Sequence, residues 1–132
     1  MQVIVAGGSG FIGSHLCERL LAEGHRVLCL DNGVTGRQVN IDHLMDQATF
    51  ELIRCDVSQD LPANVEGDRV YHLASPASPP RYLEIPIETL LTNATGTQHL
   101  LERAHQCGAR FLLASTSEVY GDPLVHPQPE TY

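Results

Sequence analysis

The stretch Val5–Gly13, "VAGGSGFIG", decides the fold predicted for this chain. In it Gly7, Gly10 and Gly13 follow a Gly-x-x-Gly-x-x-Gly spacing, with a short apolar run before them and an amphipathic segment after them. In a strand–turn–helix unit the first glycine permits the tight turn, the second lets the backbone approach a pyrophosphate, and the third allows close helix–strand packing. The helix N-terminus then offers N–H groups to the anion. The stretch therefore predicts a dinucleotide-binding turn.

The segments around this turn predict an alternating α/β chain. Runs typical of strands are Gln2–Ala6, Arg26–Asp31, Phe50–Asp56, Arg69–Ser75 and Arg110–Thr116. Apolar periodicity predicts helices over Phe11–Ala22 and Ile87–Cys107 and a weak helix over Val39–Met45, whereas "PASPP" (76–80) predicts a loop and the proline-rich tail an extended segment. We expect one Rossmann-type domain over 1–132, a doubly wound parallel sheet of order 3-2-1-4-5 truncated after the fifth strand.

An acidic residue at the end of the second strand indicates which dinucleotide binds. Asp31 follows Gly13 by 18 residues and is placed to accept hydrogen bonds from the adenosine ribose. Its charge would repel the 2′-phosphate of NADP, so NAD is the predicted cofactor, with NADP an alternative because Arg37 lies nearby. A P-loop needs a lysine, and all eight basic residues of this chain are arginines.

Composition excludes several classes of protein. A hydrophobic content of 42% and the absence of long apolar runs argue against disorder and against a membrane partner. The net charge of −8 without basic runs argues against a nucleic-acid partner. The N-terminus shows no secretory pattern, so a cytoplasmic location is expected. Without Cys-x-x-Cys spacing we predict no metal site and four buried free thiols, Cys17, Cys29, Cys55 and Cys107.

Five motifs in order, "GGSGFIG", "LDNGVTGR", "HLASPASPP", "TNATGT" and "LLASTSEVYGDP", make the sequence similar to the extended short-chain dehydrogenase/reductase family of nucleotide-sugar enzymes, the NAD-dependent epimerases and dehydratases. The resemblance implies an NAD site formed by Gly7, Gly10, Phe11, Ile12, Gly13, Asp31, Asn32, Thr35, Gly36, Asp56, Val57, Leu73, Ala74, Ser75 and Thr92. Val57, Leu73 and Ala74 could pack in the core as well. His72 is expected to be a packed strand histidine and not a ligand.

The resemblance also implies catalytic roles for Thr116, Ser117 and Glu118, which we expect at the carboxyl end of the fifth strand. Thr116 would bond the sugar hydroxyl that loses hydride, and Glu118 would lie near the sugar C5 and carboxylate. Ser117 stands where related dehydratases carry an aspartic acid, which favours decarboxylation of UDP-glucuronate to UDP-xylose through a C4 ketone. A dTDP-glucose dehydratase, a UDP-sugar 4-epimerase and a non-catalytic NAD-binding module remain alternatives, as does a structural role for the triplet.

The base that this family uses is a Tyr-x-x-x-Lys pair, and the chain contains no lysine. We therefore expect an N-terminal fragment of a longer enzyme that is inactive alone, with a nucleotide sugar as its substrate when complete. Relatives dimerise through helices that include the long one, so a homodimer through Ile87–Cys107 is expected. The unpaired edge of the fifth strand favours self-association as well.

Overall fold

A computed structural model describes all of residues 1–132 and shows a five-stranded parallel sheet of order β3-β2-β1-β4-β5. Its strands are β1 Gln2–Ala6, β2 Arg26–Asp31, β3 Phe50–Arg54, β4 Arg69–His72 and β5 Arg110–Leu113, and its helices are α1 Phe11–Ala22, α2 Pro79–Glu84, α3 Pro86–Asn93 and α4 Thr95–Cys107. Short 3-10 turns cover Gln38–Asn40, Asp42–Leu44 and Ser117–Tyr120. The predicted fold class and strand order are confirmed, and β1, α1 and β2 have the predicted bounds.

The sheet is covered on both faces around its centre. Successive residues of β1 point to opposite faces, so Val3 packs with Cys17 of α1, whereas Ile4 packs with Leu100 of α4. All four of the last residues of β1 are buried, as are all residues of β2 except the first. Burial on both faces explains why these strands read as continuous apolar runs.

Three strands are shorter than predicted. The predicted ends at Asp56, Ser75 and Thr116 are wrong, because β3 ends at Arg54, β4 at His72 and β5 at Leu113. β1 ends at Ala6, because the chain turns at Gly7. Ala6 pairs with His72, so β1 offers no partner to the residues of β4 beyond His72. β5 in turn loses its partner after Leu113, which pairs with His72. The polar residues that follow these strands lie on loops at the carboxyl edge of the sheet.

The single helix predicted over Ile87–Cys107 is wrong: α3 and α4 are separated at Ala94, with φ −94° and ψ −73°. Hydroxyl and amide side chains around the break bond to carbonyls four residues earlier, including Thr89 to Ile85 and Asn93 to Thr89. Such bonds compete with regular helix geometry and bend helices. After the break, α4 packs on the sheet, where its Leu100 and Ala104 lie in the same core cluster as Ile4 and Val70.

Other local predictions also need correction. The loop predicted at "PASPP" leads into α2, whose first two positions are Pro79 and Pro80, where a missing N–H costs no helical bond. The weak helix over Val39–Met45 is two 3-10 turns, and a third 3-10 turn, over Ser117–Tyr120, lies before the proline-rich tail.

The four thiols are all free, as predicted, but only two are buried. Cys17 and Cys29 lie in the core, while Cys55 and Cys107 are partly exposed. No helix is both long and apolar enough to cross a membrane.

Candidate cofactor site

The glycine turn is shaped by close packing against neighbouring backbone. Gly7 has φ +82°, and a Cβ there would lie 2.7 Å from the backbone nitrogen of Ala74, so no other residue type fits without a shift. A Cβ on Gly13 would lie 2.1 Å from the carbonyl oxygen of Gly7. Gly8, which the motif does not single out, is equally constrained, because its Cβ would approach the Cys29 Sγ to 2.4 Å.

The first turn of α1 presents unpaired backbone donors. Ser14 N–H donates to the Gly10 carbonyl over 3.0 Å, but the N–H groups of Phe11, Ile12 and Gly13 have no acceptor within the protein. A Cβ on Gly10 would meet a single neighbouring atom, the Gly7 oxygen, in a tight contact of 3.2 Å. Free N–H groups at the positive end of a twelve-residue helix fit an anion such as a pyrophosphate.

A cleft lies beside this turn, at the carboxyl edge of the sheet. Its free space, including the part open to solvent, is about 670 Å³. The predicted residues that line it are Gly7, Gly10, Asp31, Asn32, Thr35, Gly36, Asp56, Val57, Leu73, Ala74, Ser75 and Thr92. Phe11, Ile12 and Gly13 do not line it. The side chains of Phe11 and Ile12 are mostly exposed, so only their backbone N–H groups face the turn's open side.

Asp31 is held in one orientation at the end of β2. Its Oδ2 accepts a hydrogen bond from Ser9 N–H at 2.9 Å and its Oδ1 accepts one from Gly33 N–H at 2.8 Å. The residue is only 9% exposed yet lines the cleft. Each carboxylate oxygen retains a lone pair, so Asp31 can still accept a hydrogen bond from a ribose hydroxyl.

A second carboxylate, Asp56, lies after β3. Its Oδ1 accepts from both the N–H and the hydroxyl of Ser58, at 2.9 and 2.7 Å, and its Oδ2 accepts from the Asn32 amide at 3.2 Å. Burial alone would raise the pKa of Asp56, but the hydrogen bonds from Ser58 and Asn32 outweigh it and lower the pKa. Asp56 is therefore an ionised acceptor in a fixed position.

Cys55 lines the cleft between these two carboxylates. Burial raises the pKa of the Cys55 thiol, and the negative charges of Asp56 and Asp31 raise it further. The thiol is therefore protonated at neutral pH and adds no charge to the cleft.

The structure does not bring the predicted catalytic triplet to the cleft wall. Thr116, Ser117 and Glu118 lie on an exposed segment beyond the end of β5. Thr116 Oγ1 accepts a hydrogen bond from Glu118 N–H at 3.2 Å and so caps the 3-10 turn over Ser117–Tyr120. None of the three lines the cleft.

His72 is a packed strand histidine, as predicted. It is 2% exposed, lies edge-on to Phe111, and its Nε2 is 3.0 Å from Thr97 Oγ1. Since the Thr97 hydroxyl donates to the Asn93 carbonyl, it accepts from His72 Nε2–H, which leaves the buried Nδ1 without a partner. Desolvation lowers the pKa of His72, so the ring is neutral at pH 7.

Sequence reasoning missed part of the cleft wall, formed by Leu30, Val34, Cys55, Pro76, Ile85 and Glu88. Ile85 and Glu88 lie at the start of α3, which was predicted to begin later. Pro86 at the first position of α3 was the available signal, because proline is favoured at the start of a helix.

The strand order, the turn with free N–H groups and the oriented carboxylate at the end of β2 together define a Rossmann-type dinucleotide-binding domain.

Comparison with known proteins identifies the family. Residues 3–132 match the NAD dependent epimerase/dehydratase family, and the chain belongs to it. NAD is the cofactor of this family.

Among its relatives, UDP-glucuronic acid decarboxylase 1 of Xenopus tropicalis is 53% identical over 131 residues, which are 99% of this chain and 31% of that protein. A crystal structure of UDP-galactose 4-epimerase superimposes with a TM-score of 0.84 and 37% identity, over 98% of this chain and 43% of that one. The UDP-glucose 4-epimerase of Thermus thermophilus in complex with NAD gives a TM-score of 0.78 and 32% identity, over 99% of this chain and 43% of that one. The chain thus spans about a third of the length of the curated relative.

Proposed function

We propose that this chain forms the NAD-binding part of an enzyme that decarboxylates UDP-glucuronate to UDP-xylose. The observation that carries the proposal is the 53% identity, over 99% of this chain, to a protein named UDP-glucuronic acid decarboxylase. The cleft supports it independently, because its turn and carboxylates suit a dinucleotide.

Each part of the cleft has a defined task in this proposal. The free N–H groups at the start of α1 bind the pyrophosphate of NAD, and the Asp31 carboxylate accepts hydrogen bonds from the adenosine ribose. Asp56 and Val57, which line the cleft, would lie near the adenine. Leu73, Ala74 and Ser75, which also line it, would lie beneath the cofactor. Bound NAD supplies a hydride acceptor for C4 of the sugar.

The segment after β5 would act on the sugar. We assign Thr116 to bond the C4 hydroxyl and Glu118 to a position near C5 and the carboxylate. Oxidation at C4 would make the C6 carboxylate a β-keto acid, which loses carbon dioxide because the electrons left behind are delocalised onto the ketone oxygen. Protonation at C5 and return of the hydride to C4 would then give UDP-xylose and restore NAD. Ser117 is not an acid that could protonate a leaving hydroxide, so dehydration is disfavoured.

These 132 residues contain no lysine and so no Tyr-x-x-x-Lys pair. Without that pair no group is assigned to take the proton from the C4 hydroxyl. We propose that the chain alone binds NAD without decarboxylating UDP-glucuronate. The structural likeness to epimerases keeps UDP-sugar 4-epimerisation as the second candidate activity.

A chimera tests the proposed activity. This chain would replace the matching segment of the Xenopus tropicalis UDP-glucuronic acid decarboxylase 1, and carbon dioxide release from UDP-glucuronate would be measured. We expect release, and we expect Thr116→Ala to reduce it at least tenfold while an exposed control, Asp46→Ala, does not. A folded, NAD-loaded chimera that epimerises its substrate or releases no carbon dioxide would overturn the decarboxylase proposal.

A further inference from the structure

The Ser9 carbonyl links the glycine turn to a segment outside the cleft. Ser9 is 4% exposed, and its carbonyl oxygen accepts hydrogen bonds from Arg37 N–H at 3.1 Å and from the Asn40 side-chain amide at 2.8 Å. Asn40 ends a 3-10 turn and does not line the cleft. The next residue, Ile41, is completely buried in the core beneath α1. Burial of the adjacent Ile41 therefore holds the backbone at Asn40 in place while its side chain contacts the glycine turn.

Hydrogen bonds hold both the backbone N–H and the backbone carbonyl of Ser9 in place. Its N–H donates to Asp31 Oδ2 at 2.9 Å, and its carbonyl is held by Arg37 and Asn40. Because a peptide unit is planar, fixing the Ser9 carbonyl also fixes the direction of the Gly10 N–H. Gly10 immediately precedes the free N–H groups at the start of α1.

The fit around Ser9 leaves little freedom for an alternative arrangement. A Cβ on Gly36 would lie 2.0 Å from Ser9 Oγ and 2.9 Å from Asp31 Oδ1. The loop after β2, the carboxylate and the glycine turn are thus packed into one unit. A displacement of the Ser9 carbonyl would move the Gly10 peptide, whose N–H donates to the Gly7 carbonyl at 3.1 Å, and with it the turn that precedes the donors at the start of α1.

We propose that Asn40 is a positioning residue for the dinucleotide site and sets the phosphate-binding turn through the Ser9 carbonyl. This inference rests on the proposed NAD-binding function. Asn40 itself does not line the cleft. Its side-chain NH₂ is the essential feature, because only a donor can hold a carbonyl oxygen.

The test is the substitution Asn40→Asp, which keeps the shape but places a carboxylate oxygen against the Ser9 carbonyl. We expect it to weaken NAD binding about tenfold by calorimetric titration, and Asn40→Ala to weaken it about threefold because Arg37 still holds the carbonyl. The matched control is Asn64→Asp, the same change of shape and charge at an exposed position, which should leave NAD affinity unaltered.

A second readout separates positioning from simple destabilisation. Adenosine, which lacks the pyrophosphate, should lose much less affinity than NAD in Asn40→Ala, and the amide NMR signals of Gly10 and Phe11 should shift while those of β1 do not. Equal losses for NAD and adenosine, or NAD affinity within twofold of the wild type in both variants, would overturn the inference. If the unmodified chain fails to bind NAD, the proposed function falls and this inference falls with it.

Discussion

Among individual residues, the glycines of the turn separate into two roles that the motif does not distinguish. Gly7 and Gly13 are required by several close contacts within the protein, whereas a Cβ on Gly10 would meet only one atom, the Gly7 oxygen at 3.2 Å. Gly10 has φ −73° and ψ 176°, a conformation open to any residue. We therefore attribute the need for glycine at position 10 to the ligand and at positions 7 and 13 to packing.

This difference predicts that Gly13→Ala mainly lowers stability, whereas Gly10→Ala mainly weakens NAD binding. Gly13→Ala should lower the free energy of unfolding by about 1–3 kcal/mol, because its Cβ collides with the Gly7 carbonyl. Gly10→Ala should change stability much less but weaken NAD binding. Urea unfolding and NAD titration of both variants check this, and a Gly10→Ala variant that binds NAD as the wild type does would contradict it.

His72 predicts a pH dependence of stability. Its pKa is lowered in the folded protein by desolvation, so below its unfolded value of about 6.5 the unfolded chain binds more protons than the folded one. Stability should be fully retained above pH 6.5 and fall as the pH drops towards the folded pKa, by up to about 1.4 kcal/mol per pH unit.

Urea unfolding between pH 7.5 and 5 measures this slope, and His72→Gln should flatten it. The control is His105→Gln at an exposed position, which should leave the slope as it is. Equal slopes in the wild type and His72→Gln would show that His72 is not the group responsible.

Among the elements, prediction from sequence succeeded where local pattern and tertiary contacts agree. β1, α1 and β2 were predicted with their observed bounds because apolar runs, glycines and a helical stripe mark the same limits. The break at Ala94 was missed because it depends on hydrogen bonds from side chains to the backbone and on how α4 packs against the sheet. The spacing of apolar residues contains no information about either. Of the cleft residues at α3, Thr92 was predicted, whereas Ile85 and Glu88 at the start of the helix were missed.

The close packing of α4 against Val57 predicts that substitutions at Gly96 and Val57 have non-additive effects on the free energy of unfolding. A Cβ on Gly96 would lie 2.8 Å from Val57 Cγ2, so Gly96→Ala should cost about 1–3 kcal/mol of unfolding free energy. In a Val57→Ala background the added methyl group has space, and the cost should fall by about 1 kcal/mol or more. Additive effects in the double-mutant cycle would contradict this close packing.

For the whole molecule, an apolar surface remains uncovered. Leu83, Ile87 and Leu90 on α2 and α3 are each about two-thirds or more exposed, and Leu113 on the edge strand is half exposed. Exposed apolar side chains that cluster on a surface mark interaction sites. The predicted homodimer and the predicted self-association at β5 both remain predictions that this surface favours.

We expect the chain to self-associate in sedimentation velocity experiments, with Leu90→Glu shifting it towards monomer. Leu124→Glu, at a tail position that is 91% exposed, is the matched control and should have no effect. A wild-type chain that stays monomeric at high concentration would contradict the predicted interface over Ile87–Cys107.

The central claim is that the cleft beside the glycine turn binds NAD, and calorimetric titration of NAD into the 132-residue chain tests it most directly. Asp31→Ala removes the ribose acceptor and should weaken binding about tenfold or more, whereas Asp46→Ala at an exposed position should not. Saturable binding with that pattern is the predicted result. A folded chain that binds no NAD, or binds it equally well without the Asp31 carboxylate, would contradict the account.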